Sequence, residues 1–68
     1  MMRNVVVARV ECKAIVRNIP EDVALGKRKG FMVVKVDNAI LWYYGLYESD
    51  AKAVEVAESF ENGLVLEV

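Results

Sequence analysis

The sequence predicts an α+β domain in which about four strands form a mainly antiparallel sheet and one helix packs on one face. Three stretches predict it: residues 4–18 alternate polar and apolar side chains, residues 31–49 read as a hairpin, and residues 49–63 have helical periodicity. A short apolar run at 64–68 follows the helix. The expected element order is β-β-β-α-β, and residues 1–68 form a single domain.

The alternating stretch at the start predicts a strand with one face in water. From Val6 to Val16 the even positions are apolar, whereas the odd positions include charged residues. One uninterrupted strand of about thirteen residues would exceed about 40 Å. We therefore expect a bend, a bulge near Glu11, or an overhang onto a second protomer. Cys12 falls on the apolar side, which favours a small buried hydrophobe over a nucleophile.

Residues 18–26 predict one helical or 3₁₀ turn. Asn18 and Glu21 have the spacing of a capping box, Pro20 suits a first turn, and Gly26 suits the end of a helix.

A basic loop follows this turn and leads into the hairpin. It consists of Lys27, Arg28 and Lys29. Three adjacent cations either bind a phosphate or keep a very apolar strand soluble, and we favour the second interpretation.

The hairpin is apolar on both faces. Its two β-rich runs, 31–36 and 39–47, flank Asp37 and Asn38, which suit a tight two-residue turn. A four-residue turn keeps the same pairing, whereas a three-residue turn with a bulge flips one strand. The two-residue register pairs Val36 with Ala39, Val34 with Leu41, and Met32 with Tyr43 on one face; Lys35 with Ile40, Val33 with Trp42, and Phe31 with Tyr44 share the other. A hairpin with one wet face would alternate, so we expect both faces to be covered.

The helical stretch has a thin, Ala-rich apolar stripe. Ser49 or Asp50 suits the N-cap, and Gly63 suits a left-handed C-terminal position with Leu64 closing onto Phe60. Residues 64–68 then form a strand parallel to 39–47 after a right-handed crossover. We expect the helix to cover the face of Met32, Val34, Leu41 and Tyr43. The other face is then the candidate interface with a second protomer, a partner or a ligand, formed by Phe31, Val33, Ile40, Trp42 and Tyr44.

Composition favours self-association. The hydrophobic fraction of 56% is high for a chain of 68 residues, because so small a domain buries only about 60% of its unfolded surface. A single cysteine excludes an internal disulfide and suits a reducing, cytoplasmic compartment. No run approaches the length of a membrane span, and we expect no signal peptide.

The charges are distributed unevenly along the chain. Residues 1–35 carry eight basic and three acidic side chains, whereas residues 36–68 carry one basic and seven acidic side chains. We favour complementarity of the two halves, within or between protomers, over a dedicated acid-binding face.

Catalysis has few candidate residues. The chain contains no His, Thr or Gln, which removes the commonest general base and metal ligand. Glu55, Glu58 and Glu61 recur at helical spacing, but such a ridge is typical of a solvated face. We therefore expect no enzyme activity, no cofactor and no metal site.

Residues 42–68, WYYGLYESDAKAVEVAESFENGLVLEV, resemble a unit found in many small bacterial and phage proteins. That unit has an aromatic–Gly–x–Tyr segment, a capped helix and a short strand. The stretch is also similar to the second half of a SPOR-type peptidoglycan-binding domain, although the first half of this chain lacks the SPOR helix between strands. The resemblance implies a β–α–β C-terminal half and a phage or mobile-element accessory protein. It assigns no binding residues.

Two functions fit these observations. The first is a small non-catalytic interaction module that self-associates, with a dimer favoured, and that docks on a host protein. The alternative is a single-stranded nucleic-acid-binding module, in which bases stack on the aromatic sheet face beside the basic loop. We expect no membrane partner.

Overall fold

The computed structural model describes residues 5–68 and confirms the α+β class. A five-stranded sheet carries one helix on one face, together with a single helical turn on the other. The strands are β1 (Val7–Arg9), β2 (Val16–Arg17), β3 (Phe31–Asp37), β4 (Ile40–Tyr47) and β5 (Gly63–Glu67), and the helices are α1 (Glu21–Ala24) and α2 (Asp50–Ala57).

The sheet is mixed, with the order β1-β5-β3-β4-β2. The central strand β3 runs antiparallel to β4 and β5, whereas β1 pairs parallel with β5 and β2 pairs parallel with β4. As predicted, β5 runs in the same direction as β4. Strand β3 lies between them, a position that the sequence did not indicate. The expected sheet of about four mainly antiparallel strands gains a fifth strand because the first segment supplies both edges.

The first segment does not form one long strand. The chain bends at Glu11, continues through a 3₁₀ turn over Lys13–Ile15, and enters β2 at the opposite edge of the sheet from β1. A break near Glu11 was expected, but the division between two edges was not. The predicted start at position 4 lies outside the described residues.

The chain between β1 and β3 covers one face of the sheet. Val16 and Val23 pack with Met32 and Val34 in one buried cluster, to which Ile19 also contributes. Cys12 is exposed, so the prediction that it is buried is wrong. Strand β1 ends at Arg9, so the even position of Cys12 no longer indicates which face of the sheet its side chain lies on.

The hairpin turn is centred on Asn38 and Ala39 rather than on Asp37 and Asn38. Both central residues are left-handed, with φ of 56° and 65°, as a type I′ turn requires. The register therefore pairs Val36 with Leu41 and Val34 with Tyr43, two residues from the predicted pairing. Up to Tyr43, a shift of two keeps the side chains on their predicted faces, because side chains alternate with period two. Beyond a β-bulge between Val33 and Val34 the pairing differs by three residues from the predicted one, and the side chains from 45 to 47 change face.

Helix α2 packs on the face opposite to the one predicted. Ala53 and Ala57 are fully buried against Val33 and Val65, whereas the Met32 face is covered by the segment before β3. The prediction that the helix covers Met32, Val34, Leu41 and Tyr43 is wrong. Both faces of the hairpin are apolar, so alternation separates the faces without indicating which one the helix covers.

The helix ends match the predictions in part. Ser49 caps α2, because its Oγ accepts a hydrogen bond from the Lys52 N–H at 3.1 Å. Gly26 follows α1 with φ of 76°, as expected for a C-terminal glycine. No capping box forms at α1: the N-cap is Pro20 and makes no side-chain cap bond, whereas Asn18 is left-handed with φ of 61°.

Gly63 is required for close approach rather than for a left-handed turn. Helix α2 ends at Ala57, and a β-carbon at Gly63 would lie 2.2 Å from the Ala57 carbonyl oxygen. Leu64 packs with the Met32 cluster, so the predicted closing contact with Phe60 is wrong. The glycine therefore lets β5 begin directly against the last turn of α2.

We expect Gly63→Ala to lower the free energy of unfolding by about 1–3 kcal/mol, because the added methyl group must displace backbone. Asn62→Ala is the control, since Asn62 is exposed and holds Val36 through its backbone carbonyl at 2.9 Å. We expect the control to stay within about 0.5 kcal/mol of the wild type in urea unfolding. Equal stability of the two variants would contradict the close approach.

Substitutions at two neighbouring apolar residues, Val23 and Leu25, test whether the segment before β3 covers the Met32 face of the sheet. Val23 is 0% exposed, whereas Leu25 is 63% exposed. Val23→Ala removes buried methyl groups and should cost about 2 kcal/mol of unfolding free energy. Leu25→Ala should change it by less than about 0.5 kcal/mol. A Val23→Ala protein as stable as the wild type would show that this segment does not close the core.

Candidate functional site

Helix α2 leaves part of its own sheet face open. Its eight residues span about 12 Å, whereas the eight residues of β4 span about 26 Å. Toward the β2 edge, beyond the end of the helix, lies what we call the aromatic surface, formed by Lys35, Ile40, Trp42, Tyr44 and Phe60. Trp42 is 38% exposed and Tyr44 is 52% exposed, so two large aromatic side chains on one face of β4 are open to solvent.

A β-bulge and the residue Phe60 fix the position of Tyr44. Val34 pairs with Tyr43 and Val33 pairs with Gly45, so Tyr44 is the extra residue in β4. Its ring meets Phe60 edge to face, with centroids 4.6 Å apart and an interplanar angle of 71°. The Lys35 Nζ lies 5.0 Å from the Phe60 centroid, over the ring. The exposed tyrosine is therefore held in place by contacts within the chain.

Trp42 lies between two cationic side chains. It pairs with Lys35 on β3 and with Arg17 on β2, and paired residues project from the same face of a sheet. A shallow depression of about 200 Å³ is lined by Lys35, Asp37 and Trp42. The flat apolar area is therefore bordered by both basic and acidic groups.

A second depression, of about 430 Å³, lies between the end of β3 and the loop after α2. It contains Phe60, Glu61 and Asn62 on the loop side and shares Lys35 and Asp37 with the first depression. Neither is a deep cavity, so the surface is suited to a broad contact rather than to enclosing a small molecule.

The predicted interface residues have different surroundings. Val33 is 0% exposed beneath α2, and Phe31 is half-buried in the same cluster. Ile40 is half-buried beside the turn, whereas Trp42 and Tyr44 are exposed. Their common face was predicted from alternation, but the helix covers the Phe31 end and leaves the Trp42 end open.

Phe60 is a member of this surface that the sequence did not nominate. Helical spacing placed it on the buried stripe with Ala53 and Ala57, but α2 ends before it. After Ala57 the Phe60 N–H donates to the Ala57 carbonyl in a turn, and the Phe60 ring lies on the open sheet beside Tyr44. One sequence feature could have indicated Phe60: it stands alone among polar residues in the run Glu58–Ser59–Phe60–Glu61. Aromatic residues are enriched in interfaces.

The basic loop lies away from the aromatic surface. Lys27, Arg28 and Lys29 are all exposed, and Lys29 lines a cleft with Arg9 on β1 and Glu67 on β5. Strands β5 and β3 separate β1 from β4, which corresponds to about 14 Å across the sheet. The prediction that the basic loop borders the aromatic face is therefore wrong.

The residues with catalytic or ligating chemistry are dispersed. Helix α2 includes Glu55 but ends before Glu58, which is its C-cap residue, and before Glu61. The three glutamates therefore do not form a ridge on one helix. Within the described range 5–68, no three His, Cys, Asp or Glu side chains come together in a way that could hold a metal ion. In the same range, no helix has the length and hydropathy needed to cross a membrane.

Comparisons with known proteins found no matching family model, no matching curated protein and no matching solved structure. The aromatic surface and the charges around it therefore form the basis for a functional proposal.

The Tyr44–Phe60 contact is tested by a double-mutant cycle with Tyr44→Leu and Phe60→Leu. We expect a coupling free energy of about 1 kcal/mol, because an edge-to-face pair contributes beyond its buried area. The control cycle combines Tyr44→Leu with Leu25→Ala, which lies beyond the opposite face and should be additive. Urea unfolding at low protein concentration measures both cycles, and additive behaviour of the aromatic pair would contradict the contact.

Proposed function

We propose that this chain is a small non-catalytic protein-interaction module that associates with a second copy through the aromatic surface. The observation that carries the proposal is the exposure of Trp42 and Tyr44 on a sheet face that α2 otherwise covers. Tyr and Trp supply large contact areas with few rotatable bonds, and they dominate the energetics of interfaces.

The fixed geometry of the surface supports this proposal. Tyr44 packs on Phe60, and Lys35 lies over the same ring, so these side chains need little ordering on association. Side-chain ordering is one of the main costs of forming an interface, and a preorganised surface lowers it.

The charges around the surface support a second copy as the occupant. Lys35 and Asp37 line both depressions, Arg17 pairs with Trp42, and Glu61 lies on the loop side. In a two-fold dimer the same patch meets itself, and a dimer that sets Lys35 of one copy opposite Asp37 of the other compensates both charges. A surface of mixed sign is self-complementary, whereas a surface of one sign repels its copy.

A single-stranded nucleic acid is the competing occupant. The placement of Trp42 between Lys35 and Arg17 favours it, since bases stack on aromatic rings beside phosphate-binding cations. Asp37 and Glu61 weigh against it, as does the distance of the basic loop from this surface.

The biological setting that we propose follows from the sequence. The single thiol supports a cytoplasmic location, and the resemblance of residues 42–68 supports a phage or mobile-element accessory protein that docks on a host protein. Pull-down from a bacterial lysate, with Trp42→Ala as the comparison, tests the docking.

Analytical ultracentrifugation over a range of concentrations tests the self-association. We expect a mass of twice the 7.6 kDa protomer at high concentration. Trp42→Ala and Tyr44→Ala should each raise the dimer dissociation constant by about 30-fold or more, as removing a central aromatic anchor does. Leu25→Ala is the control, because it removes an exposed apolar side chain elsewhere and should leave the constant unchanged.

A wild-type protein that stays at 7.6 kDa into the millimolar range would overturn the proposal. So would a Trp42→Ala protein that dimerises like the wild type while keeping its circular dichroism spectrum. Salt-dependent quenching of Trp42 fluorescence by an oligothymidylate, with no dimer, would support the nucleic-acid function instead.

A further inference from the structure

The structure gathers basic residues from two distant parts of the chain at the β1–β5 side of the sheet. Arg9 on β1 and Lys13 in the 3₁₀ turn line a cleft of about 430 Å³ together with Lys29 of the basic loop. The Lys13 Nζ lies 3.5 Å from the position that a β-carbon on Gly26 would occupy, so this ammonium group rests against the start of the same loop.

The charge of this region is only partly neutralised within the chain. Arg9 pairs with Glu67 at 3.5 Å and Arg28 pairs with Asp22 at 3.5 Å, both as exposed pairs. Among residues 5–68, no carboxylate lies within ion-pair distance of Lys13, Lys27 or Lys29. The cleft itself is lined by three cationic side chains, Arg9, Lys13 and Lys29, and by two acidic ones, Glu11 and Glu67. The expectation that the two halves of the chain neutralise each other is therefore met at this site only for Arg9, because Arg28 and Asp22 both belong to residues 1–35.

The shape of this region differs from that of the aromatic surface. The cations surround a concave space, and its lining includes the carboxylates of Glu11 and Glu67 as well as the apolar Val10 and Val68. Arg9 is oriented by Glu67, which leaves Lys13 and Lys29 as the unpaired donors toward the cleft. A concave site bordered by separate ammonium groups fits a compact polyanion better than a second protein surface, which would have to insert a projection.

We propose that this cleft binds a phosphate-bearing anion, with Lys13 and Lys29 as the main contacts and Arg9 as a third. The ligand chemistry is the phosphate group, supplied either by a small phosphorylated molecule or by the backbone of a nucleic acid. The site is independent of the proposed self-association, because it lies three strand spacings, about 14 Å, from the β4 strand that carries Trp42.

Backbone NMR titration tests this site with two probes, inorganic pyrophosphate and an oligothymidylate. We expect pyrophosphate to shift the amide signals of residues that line the cleft, at concentrations in the millimolar range or below. Lys13→Gln and Lys29→Gln should each weaken binding by about tenfold, since each removes one charge-assisted contact. Lys52→Gln is the matched control, because Lys52 is an exposed lysine on α2 and should leave the affinity unchanged.

The two probes distinguish the sources of the phosphate. Shifts at the cleft with pyrophosphate support a small phosphorylated ligand; shifts with the oligonucleotide alone support a nucleic-acid backbone, provided that Lys13→Gln and Lys29→Gln reduce them. No shift at the cleft with either probe would overturn the proposal, as would shifts that all three variants retain equally. A change of dimer mass in Lys13→Gln or Lys29→Gln without any anion binding would also overturn it, because the occupant would then be protein. The Trp42 variants keep the cleft, so failure of self-association and failure of anion binding are separately visible.

Discussion

Burial of β3 on both faces is the constraint on which the rest of the structure depends. Met32, Val33 and Val34 are consecutive and are all 0% exposed. Successive side chains of a strand point to opposite faces, so complete burial of three in a row requires cover above and below the sheet as well as a neighbour on each side. Strands β4 and β5 supply the neighbours, α2 covers Val33, and the segment from Val16 to Val23 covers Met32 and Val34.

After β3 is covered on both faces, a chain of 68 residues has few residues left to cover the rest of the sheet. The segment before β3 has to cross one face of the sheet, which is why its two short strands lie at opposite edges. Helix α2 ends at Ala57, against Gly63, and covers only the start of β3 on the other face. The uncovered remainder is the aromatic surface. Exposure of Trp42 and Tyr44 thus follows from the short helix, and the bulge at Tyr44 allows that residue to meet Phe60.

The sequence predicted the features that depend on local periodicity. The two faces of the hairpin, the Ser49 cap and the direction of the last strand are all present. Up to the bulge at Tyr44, the division into faces tolerated the misplaced turn, because a slip of two residues preserves alternation. Features that depend on how distant segments pack were not predictable. Both faces of the hairpin are apolar, so the sequence does not indicate which one the helix covers. The polar–apolar alternation continues through Cys12 although the strand ends before it. The same limit applies to the site. Trp42 and Tyr44 were nominated by their face, whereas Phe60 joins them only because the helix ends early.

Hydrogen exchange of backbone amides at two protein concentrations tests the central claim, that one chain closes its core and leaves the aromatic surface open. We expect protection of the β3 amides from Met32 to Val36 to be the highest in the protein and to be independent of concentration. If the proposed dimer forms, protection at Trp42 and Tyr44 should fall on dilution as it dissociates. Loss of β3 protection on dilution would contradict the account, because it would show that the core is completed only by a second copy.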